Sequence, residues 1–137
     1  MKKVYQTKYG KHGNCQSATI ATLLGLEIDD VPYFFEGIDL ENMTELESSR
    51  MFVDNINNFL RQHGYQLIML GQDSPHVEWV EEISRELKGV KLLVGGMSPR
   101  GFMHSVIYMD GELWHDPHPD GVGVVPYSIS FMCPIFE

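Results

Sequence analysis

The sequence predicts an α+β domain on three observations: helical periodicity with caps fills the first half, short β-rich runs separated by glycine fill the second, and Asp110-Gly111 stands between two of those runs as a hairpin turn. At 137 residues the chain reads as one domain, 1–137, long enough to bury a single core without disulfide staples. The first helix is expected from Gly13-Asn14-Cys15 to Gly25. Asn14 is a good N-cap residue, and Gly25 can take the left-handed conformation that ends a helix. Cys15 then falls in the first turn. Ala18, Ile20, Ala21, Leu23 and Leu24 are dense and small, which suits a helix buried through the middle of the domain.

Asp29-Asp30-Val31-Pro32-Tyr33-Phe34 reads as a short capped helical turn, since the aspartates can cap and Pro32 is tolerated only early. A second helix is expected from Thr44 to His63, with Leu46, Phe52, Val53, Ile56, Phe59 and Leu60 at helical spacing and Gly64 as its stop. Tyr65 to Leu70 reads as a strand. Pro75 to Lys88 reads as a third helix, with Val77, Val80, Ile83 and Leu87 on one face. Strands follow at Val90 to Val94, His104 to Met109, Glu112 to His115 and Tyr127 to Phe136, with Gly95-Gly96 to Gly101 as a flexible loop next to His104.

The charge excludes some functions. Nineteen acidic against ten basic side chains give a formal net charge of -9. The acids are spread along the chain, so the surface repels phosphate backbones and nucleic acid is not expected as a partner. No run approaches the eighteen or so apolar residues of a membrane span. Lys2 and Lys3 are followed by the polar, glycine-rich Tyr5 to Asn14 rather than by the apolar core of a signal peptide, which predicts a cytoplasmic protein. Cys15 and Cys133 are the two cysteines and are expected to be free thiols.

A thiol at the start of a helix meets the positive end of the helix dipole and unsatisfied N–H groups, which favour thiolate over thiol. Cys15 is therefore a candidate nucleophile, against the alternative of a small buried core residue. Cys133, inside Phe131-Met132-Cys133-Pro134-Ile135 with no cap and no nearby base, is expected to be structural. A nucleophilic cysteine needs a base within reach and a group to orient that base. His104 opens one strand of the Asp110-Gly111 hairpin and Asp116 closes the other; regular pairing sets residue 104 roughly opposite 117, so the two side chains meet. The alternative is a half-buried histidine and a turn aspartate before proline. His115-Asp116-Pro117-His118-Pro119-Asp120 also invites a metal reading, but Pro117 and Pro119 stiffen it and neighbours on a strand point apart, so no metal or other cofactor is expected. His12, His63 and His76 read as surface or helix-end residues.

Gly13-Asn14-Cys15 leading a small-residue helix, a later histidine opening a strand, and Asp116-Pro117 ending the next strand together resemble the papain-like cysteine peptidase superfamily, most closely its compact C39-like members. They are similar also to short phage and bacterial proteins with a Gly-Asn-Cys helix, a Leu-Gly-Leu turn and a His-Asp-Pro ending. The resemblance runs through nearly the whole chain in order, on about three short motifs. It implies a central N-terminal helix carrying Cys15 packed on a C-terminal antiparallel sheet that carries His104 and Asp116. The family also places a glutamine ahead of the cysteine, whose amide joins the cysteine N–H in stabilising the oxyanion. Gln6 is the glutamine available. Its wider separation requires the Tyr9 to Gly13 loop to bulge, which Gly10 and Gly13 permit; Asn14 is the other amide within reach.

The resemblance implies hydrolysis of a peptide or isopeptide bond in a protein or peptide substrate, through a thioester at Cys15. Transglutaminase-like and amidase chemistry use the same triad. A reading from another class is a catalytically silent binding protein that keeps the fold, such as a phage-encoded inhibitor docking on a host protein.

Overall fold

The structure, a computed structural model, describes residues 2–71 and 77–136. Three α-helices and five strands follow the chain as α1 (Cys15–Leu24), α2 (Glu45–Arg61), β1 (Tyr65–Gly71), α3 (Val77–Glu86), β2 (Leu92–Met97), β3 (Met103–Met109), β4 (Glu112–His115) and β5 (Val125–Pro134). The strands form one antiparallel sheet in the order β1-β5-β2-β3-β4. The expected α+β class is present. The first residues of the expected third helix, Pro75 and His76, lie outside the described residues.

Side-chain alternation divides the core between the two faces of the sheet. Leu67, Leu93 and Ile107 pack with Ile20 and Ala21 of α1 and Ile56, Phe59 and Leu60 of α2. Leu92, Val94, Val106, Tyr108 and Ile129 pack on the other face with Val80 of α3. Ala18, Ile20 and Ala21 are fully buried, so α1 does run through the interior. Gly25, at φ 72°, ends it in the left-handed conformation. Thr44 caps α2 in a reciprocal capping box with Glu47.

Three expectations are corrected. The turn after α1 is a short 3-10 segment, Ile28–Asp30, boxed by Glu27 and Asp30, and Pro32 comes after it rather than inside it. On α3, Val80 is buried and Ile83 packs beside it with Trp79, but Val77 and Leu87 at the two ends are exposed, because only the middle of the helix lies against the sheet. Gly95 and Gly96 are not a flexible loop. They continue β2, which begins two residues later than expected and runs to Met97.

The reason is the approach of β5. A Cβ on Gly96 would lie 2.2 Å from the Val125 carbonyl oxygen, and one on Gly95 would lie 2.7 Å from Ser128 Oγ. The register of β2 on β5 shifts at this point, where Pro126, with no N–H to offer the ladder, faces Gly96. The close contact is made with backbone, so Gly96→Ala is expected to cost about 1–3 kcal/mol of stability. Urea unfolding midpoints of the two proteins measure it.

The Asp110-Gly111 turn forms as read, with φ 55° and 86° at its two central residues, the signature of a type I′ hairpin. The pairing beyond it is not regular. Met109 faces Glu112 and Tyr108 faces Leu113, but Ile107 faces His115, leaving Trp114 as an extra residue on β4. The bulge displaces the ladder by one position from the expected 104-to-117 alignment.

Candidate active site

The bulge matters because His115 and Asp116 lie just beyond it. His115 is buried and donates from Nε2 to the Val4 carbonyl at 2.6 Å; burial holds its pKa below the ordinary value, consistent with a neutral ring. Asp116 meets His104, with Nε2 of the imidazole 2.7 Å from Oδ1. Both side chains are almost completely enclosed, at 4% and 2% exposure. Two backbone N–H groups also donate to the carboxylate: His118 to Oδ1 at 2.9 Å and Gly123 to Oδ2 at 2.8 Å. Burial alone would raise the Asp116 pKa, but the His104 bond and these two donors hold it below the usual value.

Cys15 begins α1, is half-buried, and stands close enough to the His104 ring to raise its pKa. Burial of His104 works against its positive charge. The Asp116 bond, the Cys15 bond and the charges of both partners outweigh it, and the His104 pKa is raised to about 9. At neutral pH the ring is therefore an imidazolium. With Nε2 committed to Asp116, Nδ1 is the nitrogen left to exchange a proton with the thiol. The helix and the strand are joined by buried hydroxyls a turn further on, Thr19 Oγ1 and Ser105 Oγ at 3.3 Å, a contact sequence reasoning did not anticipate. Cys133 sits on β5 opposite Gln66, away from these groups in the fold.

Gln6 is brought to the same end of α1. It is buried rather than an exposed terminal side chain, and its backbone N–H reaches the Pro117 carbonyl just after Asp116, at 3.0 Å. The loop between it and Cys15 bulges as required: Gly10 has φ 83° and Gly13 N–H closes the turn on the Gly10 carbonyl. Asn14 stands at the N-cap position of α1 but makes no side-chain cap; its side chain is turned instead to the segment ahead of the helix, with Nδ2 donating to Thr7 Oγ1.

The residues of the metal reading are held by separate partners, apart from His118 and Asp120, whose side chains meet at 3.0 Å. His115 turns to Val4, Asp116 to His104, and Asp120 receives Arg100 while its own N–H donates to His118 Nδ1. Among the described residues no three His, Cys, Asp or Glu side chains converge as ligands. What sequence reasoning missed is the loop from Pro117 to Gly123, which folds back to supply the donors on Asp116. Its only signal was the density of proline, glycine and aspartate between β4 and β5.

Two aromatic residues after the 3-10 turn, Tyr33 and Phe34, line a cleft. A cavity of about 570 Å³ lies between the 3-10 segment and α2, lined by Tyr33, Phe34, Phe59, Asp29, Asp30 and Glu36 among others. Tyr33 connects it to the loop ahead of Cys15, donating its hydroxyl to the His12 carbonyl at 2.6 Å. Among the described residues no helix is long and apolar enough to cross a membrane. No protein-family model, curated protein or solved structure matches the chain.

Proposed function

We propose that the protein is a papain-like cysteine hydrolase that cleaves a peptide or isopeptide bond, with Cys15 as nucleophile, His104 as general base and acid, and Asp116 as the group that orients the histidine. The observation that carries the reading is the enclosed His104 imidazole, held by Asp116 on one nitrogen and facing the thiol at the start of a buried helix. The cysteine-bearing helix packed on an antiparallel sheet supports the papain-like comparison, and free thiols suit a cytoplasmic setting.

In this scheme the Cys15 thiolate attacks the substrate carbonyl carbon, and the carbonyl π electrons move to oxygen. Collapse of the tetrahedral species forms the thioester and expels the amine, which takes the proton from His104 Nδ1. Water then attacks the thioester and gives a proton back to Nδ1. The C–S bond breaks, releasing the acid and restoring the thiolate–imidazolium pair. Throughout, the Nε2–H remains on Asp116, which stabilises the imidazolium and prevents the ring from turning. Gln6 and the Cys15 N–H supply the oxyanion donors.

Alkylation tests this reading. The His104 charge persists until about pH 9, so it faces the Cys15 sulfur throughout the neutral range. Reaction of Cys15 with iodoacetamide at about pH 6 is expected to be faster than that of Cys133 by roughly tenfold or more, and His104→Ala should remove the difference. Site-resolved mass spectrometry separates the two thiols, and equal rates at Cys15 and Cys133 would favour the non-catalytic binding protein.

A further inference from the structure

Asn14 has the position of a helix cap and does a different job. Its side chain is buried and turned toward the segment ahead of the helix, with both polar atoms used there. Oδ1 accepts the backbone N–H groups of Thr7 and Lys8, each at 2.9 Å, and Nδ2 donates to Thr7 Oγ1, also at 2.9 Å. The Asn14 backbone N–H reaches the Lys8 carbonyl at 3.2 Å. That same carbonyl accepts Gln6 Nε2 at 2.9 Å. The Lys8 peptide is thus fixed by Asn14 on one side and orients the Gln6 amide on the other.

The Gln6 amide is held at a cost. Its Oε1 is buried with no hydrogen-bond partner among the described residues. Turning the amide over would set Oε1 against the Lys8 carbonyl, so the acceptor at Lys8 dictates which way the nitrogen points. Nε2 lies beside the backbone leading into Cys15, 3.3 Å from where a Cβ on Gly13 would be. One of its two N–H groups serves Lys8, which leaves the other. Asn14, by not capping α1, also withholds a side-chain oxygen from the first-turn N–H groups that an oxyanion would meet.

We propose that Asn14 is a positioning residue that acts through Lys8 to aim the Gln6 amide at the oxyanion formed on Cys15, an inference that rests on the acyl-transfer reading above. The test is a double-mutant cycle of Asn14→Ala and Gln6→Ala, read by p-nitrophenyl acetate turnover and by iodoacetamide alkylation at pH 6. Each single substitution is expected to lower turnover roughly tenfold or more, in kcat rather than KM. The double variant should be no slower than the slower single one. Alkylation, which forms no oxyanion, should stay within about twofold of the parent, as a general collapse of the site would not allow.

Asn14→Asp keeps the acceptor for the Thr7 and Lys8 N–H groups and should recover part of the lost rate. Thr7→Val, which removes only the Oγ1 acceptor, should give a smaller loss in the same direction and serves if Asn14→Ala does not fold. Additive losses in the double variant, or alkylation falling in step with turnover, overturn the proposal. A parent protein that shows neither alkylation at pH 6 nor turnover overturns the acyl-transfer reading, and the positioning role with it.

Discussion

Cys15→Ala is expected to reduce acyl hydrolysis by roughly 10⁴-fold or more, whereas Cys133→Ala should retain activity within about twofold. The contrast follows from where the thiols stand. Cys15 opens α1 next to His104, while Cys133 lies in β5 paired to the edge strand β1, opposite Gln66. Truncating half-buried Cys133 should show instead in stability, by about 1 kcal/mol. Cys15→Ser is the stricter test. It keeps a nucleophilic atom in place but exchanges a thiol for a hydroxyl that the imidazolium cannot hold ionised, so it should be nearly as inactive as alanine. Steady-state turnover alongside denaturant unfolding separates the two effects. Equal loss of activity from Cys15→Ala and Cys133→Ala would mean that the thiols serve the fold, and the nucleophile assignment would be withdrawn.

The parts of this site that were legible in the sequence are those fixed by local chemistry. Gly25 marks the end of α1 because a left-handed residue is needed there, and Asp110-Gly111 marks the hairpin because both central residues must have positive φ. With the turn fixed, His104 and Asp116 had to lie near one another. The Trp114 bulge was not legible, since an extra residue in one strand leaves the hydrophobic pattern of so short a segment unchanged. Gly95-Gly96 was misread for a related reason: two glycines in sequence signal either freedom or close approach, and only the passage of β5 over them decides which. Asn14 shows the limit most clearly. Its residue type favours a cap, but the backbone N–H groups of Thr7 and Lys8 compete for the same oxygen, and they are brought to it only by the Gly10 to Gly13 turn.

His104→Ala is expected to lower turnover by roughly 10³–10⁴-fold, and Asp116→Asn by less, roughly 10- to 100-fold. Alanine removes the base altogether. Asparagine can still accept from His104 Nε2 if its Oδ1 takes the place of the carboxylate oxygen, and a thiolate–imidazolium pair formed before substrate arrives tolerates a neutral orienting group better than a serine nucleophile would. That orientation has a consequence at the other oxygen. The Asn Nδ2 then faces the Gly123 N–H, donor against donor, where Asp116 Oδ2 now accepts at 2.8 Å. Asp116→Asn should therefore also destabilise the fold by about 1–3 kcal/mol, and the His104 pKa should fall from about 9 as its charged partner is lost. Turnover, urea unfolding and NMR titration of the His104 ring measure the three effects on one protein. If Asp116→Asn proved as damaging as His104→Ala with the fold intact, or if chelators removed activity, the hairpin would be a metal site after all, and Cys15 would lose its role as the acyl-transfer nucleophile.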